Sequence, residues 1–235
     1  MISEVFNQDC IAYMRTLPDG FFNLAVADPP YGFGDSYVPH DPRGRFGGRF
    51  DKYRDTSVTT PTEWDTAPDA AFFAELARVS QHQIIWGANF FPDMPPCKCF
   101  LTWVKTNIPD GFSMAQAEYA WTSLTCNARV WQGSSARSKD SDHFHPTEKP
   151  VGLYRWLMRV WMESVQVTPA DTPKVFDPMM GSQSSRIAAY SLGLDYYGCE
   201  LDTEYFRRGC LRYEKETAGL IAQSGGQTIR QLSLF

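Results

Sequence analysis

Three short apolar runs in this 235-residue chain each end abruptly in an acid. Phe22 to Ala27 runs into Asp28, Lys174 to Phe176 into Asp177, and Tyr196 to Cys199 into Glu200. Runs of that length without polar alternation suit strands buried on both faces of a parallel sheet. Between and around them lie segments of helical spacing: Ile11 to Leu17, Thr62 to Val79, Val151 to Val165, Ser184 to Leu192 and Thr203 to Glu216. Further strands are expected within residues 2–7 and over Gln83 to Gly87, Phe100 to Val104 and Glu118 to Thr122. Strands alternating with helices imply an α/β fold, a doubly wound and mostly parallel sheet covered on both sides. Ligands of such folds sit beyond the carboxyl ends of the strands, so the three acids should share one rim.

Composition narrows the class. Hydrophobic residues make up 43% and charged residues 21%, an ordinary globular balance for one large domain. The formal net charge of −5 argues against a generally basic coat but leaves room for a local basic patch. The six cysteines are scattered, with no CxxC pair and no histidine at zinc spacing, so no metal site is expected. They read as free thiols of a reducing compartment. No secretory leader and no apolar run of membrane-spanning length is present, so a soluble protein of the cytoplasm is expected. The domain is expected over residues 1–220, with irregular loops at about 32–60 and 132–145, and residues 221–235 as a flexible tail.

The rim segments carry the chemistry. Asp28-Pro29-Pro30-Tyr31 puts a carboxylate, two residues of fixed φ and an aromatic ring at a strand end. Asp177-Pro178-Met179-Met180-Gly181-Ser182-Gln183 leads from a strand into a helix. A glycine there lets a ligand approach the backbone, beside helix N–H groups that Ser182, Ser184 or Ser185 can cap. About twenty residues later Glu200 ends the next strand, where an acid accepts hydrogen bonds from ribose hydroxyls. The pair suggests an adenosine-bearing cofactor.

These motifs resemble those of S-adenosylmethionine-dependent DNA amino-methyltransferases. Asp28-Pro29-Pro30-Tyr31 matches the family's DPPY signature, Phe176 to Gly181 its cofactor loop (FDPFxGSG in its usual form), and His145-Pro146-Thr147-Glu148-Lys149-Pro150 its HPTxKP element. Their order, with DPPY first and the cofactor loop near the C-terminus, is that of the circularly permuted β-type, and Gln83 to Phe91 and Ala117 to Thr122 are similar to small phage-type members. The resemblance implies the class I methyltransferase fold, a Rossmann-like sheet with one antiparallel strand. It also implies methyl transfer from S-adenosylmethionine to an exocyclic base nitrogen, N6 of adenine before N4 of cytosine, because the tetrapeptide begins with Asp. Asp28 and the Pro29 carbonyl would accept the amine N–H groups, Pro30 would stiffen the turn, and Tyr31 would stack on a base flipped from double-stranded DNA. To the cofactor the resemblance assigns Asp9, Cys10, Asp28, Thr147, Lys149, Asp177, Pro178, Met179, Gly181, Ser182, Glu200 and Leu201. Within that set Lys149 would pair with the cofactor carboxylate and Asp9 would read its adenine.

One position departs from the pattern: Gln183 stands where the family usually has a second glycine. Its side chain is expected either to crowd the backbone approach or to point into solvent. A weakly catalytic protein that keeps the fold and binds DNA or a partner is therefore the rival reading. Arg43, Arg45, Arg49, Lys52 and Arg54, interleaved with aromatics, form a basic stretch suited to phosphates and bases, with Arg137 and Lys139 as further candidates. The last residues, Gln231-Leu232-Ser233-Leu234-Phe235, match the QLxLF peptide with which bacterial proteins dock on the replication sliding clamp. Gln231, Leu232, Leu234 and Phe235 are its anchors. DNA, that clamp and a second copy of the chain are the expected partners, in a bacterial or phage-infected cell.

Overall fold

The computed structural model describes residues 1–32, 66–110, 115–135, 144–145 and 147–223. The strands are β1 (Ser3–Phe6), β2 (Phe22–Ala27), β3 (Ser80–Trp86), β4 (Phe100–Lys105), β5 (Ala117–Thr122), β6 (Arg129–Gly133), β7 (Lys174–Asp177) and β8 (Asp195–Cys199). The helices are α1 (Cys10–Met14), α2 (Ala70–Val79), α3 (Val151–Val165), α4 (Ser184–Leu192) and α5 (Thr203–Gln223). The strands form one sheet in the order β1-β8-β7-β2-β3-β5-β4-β6. Only β5 runs against the rest: it is antiparallel to β3 and β4, and every other pair is parallel.

Both faces of the sheet are covered, as the unbroken apolar strands require. On one side Phe22, Ala25 and Phe176 pack with Met14 of α1 and Phe72, Leu76 and Val79 of α2. On the other, Leu24, Val26 and Val175 pack with Leu153, Leu157 and Trp161 of α3 and Ala188 of α4. Phe22 and Phe176 stack across β2 and β7 with centroids 4.4 Å apart. At about 25 cal/mol per Å² of apolar area, such fully buried aromatic and aliphatic side chains dominate the folding free energy.

Several boundaries differ from expectation. Helix α2 begins at Ala70, so Thr66 to Asp69 are not helical, while Thr62 to Asp65 lie outside the described residues. Pro68 disfavours helical backbone at Ala67, and the Asp69 carboxylate caps the helix by accepting from the Phe72 N–H at 3.0 Å. The edge strand β6 is not among the expected strands. Its five residues are at most half-buried, so it carries no apolar run to read. Helix α5 continues past Glu216 to Gln223. Arg43, Arg45, Arg49, Lys52, Arg54, Arg137, Lys139, Gln231, Leu232, Leu234 and Phe235 all lie outside the described residues. Among the described residues no helix is long and apolar enough to cross a membrane, and no group of three or more His, Cys, Asp or Glu is placed to hold a metal.

Candidate active site

Strands β2 and β7 pair directly, Ala25 opposite Phe176, so Asp28 and the cofactor loop leave the sheet side by side. Strand β8 lies next to β7 and delivers Glu200 to the same edge. The rim expected from the three acids is therefore real, and its cause is the parallel register of three neighbouring strands.

The Asp28 carboxylate is held by two partners. Tyr31 donates its hydroxyl to Oδ1 at 3.1 Å, and Lys149 Nζ donates to Oδ2 at 2.5 Å. Lys149 itself is a buried ammonium, 5% exposed, that also lies 3.1 Å from Glu118 Oε2. Glu118 in turn takes Lys105 Nζ at 2.5 Å through Oε1. Burial raises the Asp28 pKa, and the Lys149 ammonium offsets only part of that rise. Burial opposes the Lys149 charge, but Asp28 and Glu118 outweigh it and keep the amine protonated. At Glu118 burial is likewise outweighed, by Lys149 and Lys105, which bring its pKa down to about 2. Tyr31 is seated by Gly87, whose φ is +66°; any Cβ there would fall inside the Tyr31 ring. Phe90 packs against that ring at a centroid distance of 5.1 Å and is 44% exposed.

The cofactor loop is fixed by its backbone. Met180 N–H donates to the Cys199 carbonyl, Gln183 N–H to the Met180 carbonyl, and Gly181 N–H to Glu200 Oε2 at 2.8 Å. Gly181 has φ +45° and faces the His145 ring, which a Cβ would meet at 2.9 Å, so this position requires glycine. Burial, then the charge of Lys149, lowers the His145 pKa to about 4 and keeps the ring neutral. Asp177 is 1% exposed; it accepts from Ser185 Oγ at 2.6 Å and from the Met179 N–H. Burial raises its pKa to about 7 against those two bonds. Arg212 of α5 donates to the Ser182 carbonyl and to Ser184 Oγ, each at 2.9 Å, and pairs with Glu148 at 3.0 Å. It thereby ties the HPTxKP element to the cofactor loop.

Gln183 takes neither expected course. Its backbone is left-handed, φ 61°, which explains the family's glycine there. Its side chain turns away from the rim and is fully buried. Oε1 accepts from Arg186 at 2.9 Å and Nε2 donates to the Phe206 carbonyl of α5. The space comes from Gly209, where a Cβ would meet Gln183 Cγ at 2.7 Å. The expected serine caps are also absent. Helix α4 starts at Gln183 with no side-chain cap, because Ser185 is engaged by Asp177 and Ser182 by Ser184.

The structure brings Asp28, Thr147, Lys149, Met179, Gly181 and Ser182 to one cleft of about 30 Å³. Pro29, buried, follows Asp28 in the chain with Pro30 and Tyr31 after it, and Asp177 and Pro178, also buried, precede Met179; none of these five lines the cleft. Asp9 is exposed beyond β1, where it caps α1 by accepting from the Ala12 N–H, with Cys10 buried beside it. Leu201 is 71% exposed next to Glu200. Sequence reasoning misses Tyr154, which lines the cleft, and Glu118, which faces Lys149. Glu118 is the one charge in the strand Ala-Glu-Tyr-Ala-Trp-Thr, and that isolation is the available signal.

The fold recurs in solved structures. A Thermus thermophilus protein described as a putative DNA modification methylase, in complex with S-adenosyl-L-methionine, aligns over 99% of this chain and 100% of its own. It is 14% identical, with a TM-score of 0.55. PvuII DNA methyltransferase, cytosine-N4-specific, aligns over 93% of this chain and 91% of its own at 11% identity and TM-score 0.58. The sheet is that of the class I methyltransferases. A family model described as DNA methylase matches residues 97–209, a stretch that includes Glu118, Lys149, the cofactor loop and Glu200. Over that stretch the chain is similar to this DNA methylase family.

Proposed function

We propose that this protein methylates the exocyclic N6 of adenine in double-stranded DNA, on a base flipped into the cleft beside Tyr31. The observation that carries the reading is the Asp28 carboxylate, presented at the rim within one cleft of the Gly181 loop. An aromatic amine is a poor nucleophile because its lone pair is delocalised into the ring. A carboxylate that accepts one amine N–H, with the Pro29 carbonyl for the other, draws the nitrogen toward tetrahedral geometry and aims its lone pair. Tyr31, braced by Gly87 and Phe90, offers the flat face for stacking. The first position of the tetrapeptide favours adenine, since family members acting on cytosine N4 more often begin with Ser.

The residues at the rim fit S-adenosylmethionine, which when bound supplies an electrophilic methyl on a sulfonium. Asp28 and Glu200 give carboxylate acceptors for a cationic, hydroxyl-bearing ligand on either side of the Gly181 backbone. Asp9, Cys10 and Leu201 extend that edge toward β1. The present cleft suits a water molecule rather than a nucleoside. Lys149 and Met179 in its wall are unbranched side chains, so rotamer changes open it. Gln183 takes no space from this cleft, which favours an active enzyme over the weakly catalytic rival.

The test is incubation with labelled S-adenosylmethionine and DNA, followed by mass spectrometry of the hydrolysed bases. N6-methyladenine is expected; N4-methylcytosine would overturn the base assignment, and unmodified DNA the enzyme assignment. The Gln231 to Phe235 peptide supports docking on a sliding clamp of a bacterial or phage-infected cell. Removing it should abolish retention on immobilised clamp, and equal retention without it would remove that part of the proposal. A homodimer is proposed on the resemblance alone, and sedimentation as a monomer at working concentration would dismiss it.

A further inference from the structure

Both oxygens of Asp28 are already engaged, Oδ1 by the Tyr31 hydroxyl and Oδ2 by Lys149. A base amino group that needs this carboxylate must therefore displace one of them. Simple expulsion of Lys149 is unfavourable, because a buried ammonium without a counter-charge is strongly destabilised. Another carboxylate is within its reach. Glu118 Oε2 lies 3.1 Å from Lys149 Nζ, an ion pair longer than the 2.5 Å contact from Lys149 to Asp28. The Glu118 side chain is anchored at its other oxygen by Lys105, which lies over the Trp103 ring at 5.0 Å. Glu118 is thus a second, anchored carboxylate already in contact with the cation that blocks the catalytic acid.

We infer that Glu118 is a positioning residue that takes Lys149 from Asp28 when the target amine arrives. A small swing of Nζ, whose pocket is walled by the Trp86 ring 5.4 Å away, exchanges the short Asp28 contact for a shortened one to Glu118 Oε2. The number of buried charges is unchanged, and Asp28 Oδ2 becomes free to accept the amine N–H. Without substrate, Lys149 returns and keeps Asp28 compensated. The inference deepens the proposed function and rests on it.

The experiment is a double-mutant cycle on single-turnover methylation with wild type, Glu118→Gln, Lys149→Met and the double variant. Glu118→Gln is expected to lower the turnover rate about a hundredfold. Its KM for S-adenosylmethionine should stay within about threefold of wild type, the mark of an interaction made on the way to the transition state. In the Lys149→Met background nothing remains to be handed over, so adding Glu118→Gln should cost no further rate. Losses that multiply in the double variant, or a Glu118→Gln enzyme as fast as wild type, would overturn the inference. Should Glu118→Gln unfold, Glu118→Asp keeps the charge beside Lys105 but withdraws it from Lys149. It should show a smaller rate loss that again vanishes without Lys149, and persistence of that loss would overturn the inference equally. Inactivity of the wild type itself would strike the functional reading rather than this one.

Discussion

The ledge after β2 and the loop after β7 leave adjacent strands, yet they are held by opposite means. The ledge depends on side-chain charges: Lys105, Glu118, Lys149 and Asp28 form an alternating row whose members can trade partners. The cofactor loop depends on backbone groups: the Met180, Gly181 and Gln183 N–H groups all have fixed acceptors. Even Arg212 spends a donor on the Ser182 carbonyl. Side-chain ion pairs rearrange with a rotamer change, whereas backbone bonds rearrange only if the chain moves. The region that the proposed reaction asks to accept a new hydrogen-bonding partner is built from the first kind. The region that must keep its shape is built from the second.

Three changes probe this contrast. Asp28→Ala removes the acceptor at the mobile end and should reduce methyl transfer about a hundred- to a thousandfold. Circular dichroism should remain native, because Glu118 keeps Lys149 compensated; loss of fold would show that the ledge is as structural as the loop.

At the rigid end, Asp177 is held neutral by burial up to about 7. A carboxyl whose pKa is raised on folding contributes its full stability below its unfolded pKa, and loses it as pH rises through the folded value. Between about pH 5 and about pH 8 wild type should therefore lose roughly 2 kcal/mol more stability than Asp177→Asn. Urea unfolding at the two pH values reads the difference, and parallel pH profiles would contradict a neutral Asp177.

Gly209→Ala drives a Cβ into Gln183 Cγ and should destabilise by about 1–3 kcal/mol. Combining it with Gln183→Gly should recover part of the loss, because glycine also suits the left-handed backbone at 183. Thermal melts that show simple additivity would mean that the two residues do not share this space.

Much of the fold is legible in the sequence because its signals are local. Strands β2, β7 and β8 are continuous apolar runs, and helices α3 and α4 start and stop where their patterns do. The start of α2 is misread because one N-cap aspartate outweighs a favourable composition upstream. Strand β6 is invisible because an edge strand need not be apolar. At the site, the motif residues are legible one at a time but their pairings are not. The motif points to Lys149, but its pairing with Asp28 and Glu118 is visible only in the structure. Gln183 is legible as an anomaly, while its resolution lies in Gly209 on another helix. Such answers depend on which helices meet, and no window of sequence holds that information.

The pairing of β2 with β7 has a consequence for the life of the polypeptide. Lys149 and Asp28 are 121 residues apart, and β7 is synthesised later still. During translation β2 waits with one edge and much of its apolar surface uncovered until the last third of the chain has emerged. The candidate site therefore cannot assemble until β7 and β8 have emerged. The nascent chain's vulnerable interval, when aggregation and chaperone capture compete with folding, is set by the ribosome's pace over those residues.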